Sequence, residues 1–199
     1  MLVPIRGRFR VSALGYQWTR AEPGKEIITE RAIGEWQAVP TETSMAVEIA
    51  NVAVVNAGLS AFLERWGLPI IRDETKLASI TTEEFRNLVA SVRKAVGLAA
   101  QHDNSNLQAH IEESAFFAAR PRSAGGSGQG DPRVAVECRD PAAMAWLELV
   151  QRDRIGVAYL RCPCCEAYFA VGEAYRHASR YCSDDCRVGA GNATTPSGE

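Results

Sequence analysis

Six cysteines stand in this chain, and five of them fall within RCPCCEAYFAVGEAYRHASRYCSDDCR, residues 161–187. Cys162 and Cys165 have two residues between them, Cys182 and Cys186 have three, and 16 residues separate the two pairs. Zinc in structural sites takes four ligands in a tetrahedron, and two such thiolate pairs fill that shell. Buried thiols kept only for packing would not need two short pairs. A Cys-Pro-x-Cys turn curls its backbone so that both sulfurs face one side. Cys182 and Cys186 are four apart, which puts them on one face of a helical turn. Ser183 can cap that turn, and Asp184 and Asp185 suit its positive end. With protein sulfur in all four positions, no coordination site is left for substrate or water, so the expected zinc is structural.

Cys164 adds an alternative. It can replace Cys165 as ligand at the cost of a strained knuckle, stand as a spare thiol on the rim, or pair with Cys165 in redox chemistry. His177 is a further potential ligand, although four sulfurs already complete the shell. His102 and His110 lie far away in sequence and read as polar surface groups. Arg161, Arg176, Arg180 and Arg187 surround the pairs. They can offset the two excess negative charges of a four-thiolate zinc site, or contact nucleic-acid phosphate.

The flanking pattern indicates the elements that hold these groups. AYFAV, residues 167–171, predicts a hairpin strand between knuckle and helix, and the three parts together describe a treble-clef-like zinc finger over residues 161–187. IGVAYL leads directly into the cluster. Before it, Asp140 and Pro141 combine N-cap and first-turn proline, starting a helix expected to run to about Arg152. RVAVECR places Val134, Val136 and Cys138 on one strand face, which makes Cys138 a core residue rather than a ligand. PRSAGGSGQGDP, residues 121–132, reads as a flexible loop inside one domain.

Further upstream, residues 44–66 read as one helix with Val52, Val55, Leu59, Phe62 and Trp66 on one face, stopped by Gly67 and Pro69. Thr81 and Glu84 form a capping box ahead of Phe85, Leu88, Val89, Val92 and Val96, in a helix running to about Ala100. Asn104 or Ser105 caps a third helix through Leu107, Ile111 and Ala115. RFRVSAL and EIITERAIGEW are expected strands, separated by the turn-rich AEPGK. The expected fold class is α+β. It has an N-terminal mixed strand/helix domain over residues 1–160, the finger over 161–187 and a disordered tail over 188–199.

Composition narrows the function classes. The chain has 199 residues, a net charge of -2 and a hydrophobic fraction of 46%. That is enough for a core and too apolar for wholesale disorder. Near-neutral charge gives no global attraction to nucleic acid or anionic membrane, so any such binding needs a local patch. MLVPIRGRFRV interrupts its apolar run with Pro4, Arg6, Arg8 and Arg10, so no signal peptide is expected. Glu48, Asn51, Asn56 and Glu64 make a membrane span over residues 44–66 unfavourable. A cytoplasmic location is expected, and in a reducing compartment clustered cysteines are metal ligands more often than disulfides.

The run RCPCC, then YF, then SRYCSDDCR resembles the CGNR-type zinc finger, at Cys162, Cys165, Phe169, Arg180, Tyr181, Cys182, Ser183 and Cys186. The preceding DPAAMAWLELVQRDRIGVAYLRC is similar to the helix and strand that lead into that finger. FLERWGLP and EEFRNLVASVRKAV are similar to the family's N-terminal region, the ABATE domain. The resemblance implies a transcription-regulator-like protein with an N-terminal sensing or oligomerisation domain and a zinc module that binds double-stranded DNA. Where the family has Cys-Gly-Asn-Arg, this chain has Cys186-Arg187-Val188-Gly189 and no later Lys or Arg.

Three functions follow. A DNA-binding regulator would use Arg161, Arg176, Arg180 and Arg187, although residues 161–187 hold four arginines against four acids and are neutral as a unit. A protein-interaction module, with a protein partner or a homodimer, would use the aromatics Tyr159, Tyr168, Phe169, Tyr175 and Tyr181, unless these pack the finger against the rest of the chain. An enzyme is not expected. There is no nucleophile elbow or histidine–carboxylate pair at metal spacing, and GGSGQG at residues 125–130 lacks both a preceding strand and the Lys-Ser/Thr ending of a phosphate loop.

Overall fold

A computed structural model describes residues 5–22, 25–40, 43–53, 55–114, 122–123, 136–172 and 180–193. The described residues form a mixed α+β fold with three sheets and six helices. Strand β1 (Ile5–Val11) lies inside a four-stranded sheet. It pairs antiparallel with β4 (Glu35–Ala38) on one side and parallel with β7 (Val136–Cys138) on the other. A two-residue strand β6 (Arg122–Ser123) adds antiparallel to β7. The second sheet is antiparallel throughout, in the order β2 (Tyr16–Glu22), β3 (Lys25–Glu30), β5 (Ser79–Thr81).

Two N-terminal expectations need correction. Tyr16–Glu22 is a strand of its own, and EIITERAIGEW is two strands, since β3 and β4 belong to different sheets. The chain changes sheets beside Gly34, where a Cβ would collide with the Val11 carbonyl oxygen. Glu22 and Lys25 pair across the predicted AEPGK turn, whose Pro23 and Gly24 lie outside the described residues.

Residues 44–66 are not one helix. They form α1 (Met45–Ala50) and α2 (Asn56–Trp66). Leu59, Phe62 and Trp66 are buried as the spacing predicts, but Val55 stands before α2 and is exposed. The break is held from outside. Arg93 donates to the carbonyls of Ala50 and Val52, both at 2.7 Å, which occupies acceptors that a continuing helix would use itself. Gly67 ends α2 at φ 80, with its N–H on the Leu63 carbonyl.

The central helix is α3 (Thr82–Ala100), opened by the predicted Thr81–Glu84 capping box. Its apolar stripe packs on α1, on α4 (Asn104–Ser114), on α5 (Pro141–Ile155) and on β8 (Val157–Arg161). The α4 cap is Asp103, whose carboxylate accepts from the Asn106 N–H at 3.2 Å, and not Asn104 or Ser105; Ala115 lies outside the described residues. Asp140 caps α5, which continues three residues past the expected end and stops at left-handed Gly156. Cys138 is buried, as its strand position predicts. Of the 121–132 loop only Arg122 and Ser123 are described, as strand β6.

Two buried acids tie distant segments together. Arg10 is fully buried and forks onto Glu30, with Nε–Oε1 at 3.1 Å and Nη2–Oε2 at 2.6 Å. The same guanidinium donates to the carbonyls of Glu74 and Lys76, while Glu30 also accepts from the Ala78 N–H. Glu148 of α5 accepts from the N–H groups of Met45 and Ala46 and from the Ser44 hydroxyl, all at 3.0 Å, so it caps α1 from about a hundred residues away. Burial pushes its pKa from 4.5 to about 7, against the pull of these three donors.

Candidate metal centre

Strand β8 ends at Arg161 and the chain turns at once through Cys162–Cys165. Two bonds make this turn a knuckle: Glu166 N–H to the Cys162 carbonyl at 2.9 Å, and Cys162 N–H to the Ala167 carbonyl at 2.8 Å. Glu166 takes the left-handed conformation, φ 61, that reverses the chain. Strand β9 (Tyr168–Gly172) then returns antiparallel to β8, in register from Arg161↔Tyr168 to Val157↔Gly172. The predicted AYFAV strand is therefore one arm of a hairpin whose tip is the first cysteine pair.

The second pair opens α6 (Asp184–Ala193). Ser183 accepts from the Cys186 N–H at 3.2 Å, and Asp184 and Asp185 lie in the first turn, as the charge pattern predicts. The helix continues through Ala193, so residues 188–193, expected as disordered tail, are helical; residues 194–199 lie outside the described residues.

These elements bring Cys162, Cys165, Cys182 and Cys186 together, with all four sulfurs within 4.8 Å of one another. Cys165 and Cys182 Sγ are 3.4 Å apart, and Cys182 and Cys186 Sγ are 3.6 Å apart. A tetrahedron with metal–sulfur bonds of about 2.3 Å has edges of about 3.8 Å, so the spacing fits one ion and is too wide for a disulfide. Cys162 is buried, Cys186 half-buried, and Cys165 and Cys182 exposed. The four cysteines are positioned to hold a metal ion.

Burial opposes ionisation of Cys162, but backbone N–H groups of Cys165, Cys182 and Cys164 donate to its sulfur and lower its pKa from 9.0 to about 6. Cys182, although exposed to solvent on one side, is pushed up to about 12 by desolvation within the cluster and by the sulfurs of Cys165, Cys186 and Cys162 around it. Four thiols this close can all ionise only around a shared cation, which is the usual reason such clusters persist.

Cys164 does not join the four; it is exposed, and its Sγ lies 4.0 Å from where a Cβ on Gly189 of α6 would sit. Cys165, not Cys164, is the knuckle's second inward sulfur. Arg161 pairs with Glu166 at 3.0 Å and Arg187 with Asp184 at 3.0 Å, both at the surface. Arg180 is exposed, while Tyr175, Arg176 and His177 lie outside the described residues. His102 is exposed as expected, but His110 is buried between helices, with Nε2 2.9 Å from the Ser91 carbonyl.

Two of the five aromatics face inward, Phe169 and Tyr181 are half-buried, and Tyr175 lies outside the described residues. Tyr159 is fully buried, and Tyr168 packs against the core. Gly97 of α3 makes room for Tyr168, since a Cβ there would stand 3.0 Å from its hydroxyl. Sequence reasoning missed Asn51, which bonds both the N–H and the carbonyl of Tyr168. A polar residue inside an apolar run was the available signal. No helix among the described residues is long and apolar enough to cross a membrane.

No protein-family model matches this chain. Neither a curated protein nor a solved structure matches it.

Proposed function

We propose that this protein is a zinc-finger protein whose metal is structural and whose work is recognition rather than catalysis. The observation that carries this reading is the set of four cysteine sulfurs within 4.8 Å of one another, at the tip of a hairpin and the start of a helix. Zinc fits it best among common ions, because an all-thiolate tetrahedral shell selects zinc or iron–sulfur chemistry and the knuckle-plus-helix setting is that of zinc modules. A knuckle at the tip of a β-hairpin, with the second pair opening a helix, supports the treble-clef-like reading. With four protein ligands, the ion offers no open position to a substrate. The zinc content of reduced, purified protein tests this, with one ion per chain expected.

Membership of the CGNR group, with an ABATE-like N-terminal region, is part of the same proposal, and it implies recognition of double-stranded DNA. Arg161, Arg180 and Arg187 support this as exposed cations around the cluster. The surface ion pairs of Arg161 and Arg187 are worth only about 0–1 kcal/mol, so phosphate can displace them. A mobility-shift titration on duplex DNA tests the reading, with binding that weakens steeply as salt rises.

A second reading, a protein-interaction module in the cytoplasm, is favoured by the pairing of Arg161 with Glu166 and Arg187 with Asp184, which leaves acids beside each cation. Absence of any shift at low salt, together with a defined protein partner or homodimer, would select it.

A further inference from the structure

A cavity of about 310 Å³ opens between the α3–α4 turn, the end of α5 and the start of β8, and none of the clustered cysteines lines it. His102, Asn104, Arg152 and Asp153 supply its polar side chains, and Val157–Tyr159 form one wall. The volume is at the small end of the range for small-molecule sites, and the polar lining argues against an apolar guest.

The side chains are mostly donors. The Arg152 side chain is only 14% exposed. It is held in place: Nη2 donates to Asn104 Oδ1 at 2.6 Å and Nη1 to the Leu149 carbonyl at 3.2 Å. Each terminal nitrogen keeps a second N–H beyond these bonds. With its oxygen taken by Arg152, Asn104 has its amide NH2 left to give. His102 takes the left-handed conformation, φ 59, that folds the α3–α4 turn and sets its imidazole on the rim. The acid present, Asp153, is 82% exposed and stands 3.6 Å from Arg152 Nε. A fixed guanidinium, an amide and an imidazole with donors to spare form a receptor for an oxygen-rich anion.

We infer that this cavity binds a compact oxyanion, the carboxylate or phosphate group of a small molecule, with Arg152 as its principal contact and Asn104 and His102 as added donors. Asp153 and the negative end of α5 oppose the anion, so binding is modest in strength. This site goes beyond the zinc reading and does not depend on it.

The experiment titrates the full metal-loaded chain with inorganic phosphate and, separately, with malonate, at constant ionic strength, following backbone amide resonances. Saturable shifts at residues 102–104 and 152–158, at millimolar concentration or tighter, are expected for at least one probe. The probe that binds more tightly identifies phosphate or carboxylate as the preferred group. Arg152→Gln should weaken binding by about tenfold or more, the loss expected for a charge-assisted contact, and His102→Ala by less. If Arg152→Gln does not fold, Arg152→Lys and His102→Ala decide the matter, because both remove donor geometry at little risk to packing. No saturable shift with either probe, shifts confined to other residues, or unchanged affinity in the variants would overturn the proposal.

Discussion

Asn51 and Tyr168, 117 residues apart, exchange two hydrogen bonds: Asn51 Nδ2 donates to the Tyr168 carbonyl at 2.7 Å, and Asn51 Oδ1 accepts from its N–H at 2.9 Å. The side-chain amide thus pairs with β9 as a neighbouring strand would. It fastens the hairpin that carries the first cysteine pair to the gap between α1 and α2. Tyr159 on the other arm is buried in the core shared with α3 and α5. The first half of the metal site therefore stands on the main core, while the second half, Cys182 and Cys186, lies at the start of α6.

The first prediction concerns this fastening. Asn51→Ala removes both bonds and should cost about 1 kcal/mol, since the bonds are exposed and water can replace them. Hydrogen exchange should quicken in β9 while the metal content stays unchanged. Loss of metal in this variant would mean that the knuckle cannot form without its anchor.

Metal binding should separate the five clustered cysteines. Cys182→Ser should release the ion and expose α6 to proteolysis, because Cys182 Sγ lies within 3.6 Å of both Cys165 and Cys186. Cys164→Ser should keep full metal content, since its sulfur stands outside the cluster. Metal analysis of the two purified variants checks this, and equal loss in both would contradict the ligand set.

The Arg10–Glu30 pair is fully buried on both sides. Breaking it with Glu30→Met or with Arg10→Met strands a charge in the core and should cost about 3–5 kcal/mol. The double replacement Arg10→Met, Glu30→Met should cost less than the two single changes summed. Denaturant melts of the three variants measure the difference.

Glu148 should make stability depend on pH. Its folded pKa, about 7, lies above its ordinary 4.5, so the folded chain holds this proton more tightly. The stabilisation is complete below about pH 4.5 and is lost as pH rises through 7. Asp140, raised to about 6 by burial against the pull of the Ala143 N–H, acts in the same direction. Thermal melts of Glu148→Gln should vary less across this window than those of the parent chain. An unchanged slope would place the dependence elsewhere.

Much of the local structure was legible in the residues. The Thr81–Glu84 box, the Asp140–Pro141 start, the Gly67 stop and the Ser183 cap are short-range devices, each decided by a side chain and a backbone group a few positions away, so spacing alone reveals them. The same holds for the two cysteine pairs, whose separations suit a turn and a helix before any contact between them is known. What spacing could not show was where long-range partners overrule local preference. The apolar run 44–66 breaks because Arg93 and Asn51 find their partners across the fold, and His110 is buried because Ser91 of α3 receives it. Which sulfur of the adjacent Cys164 and Cys165 turns inward was equally open, since both suit a turn by type. The left-handed turn at Glu166 and the approach of α6 decide it, facing Cys165 toward Cys182 and Cys164 toward Gly189. Residue types and short spacings thus determined the donor set and its local scaffolds. Only tertiary packing, which sets distances between groups remote in the chain, decided that four of these sulfurs share one small volume.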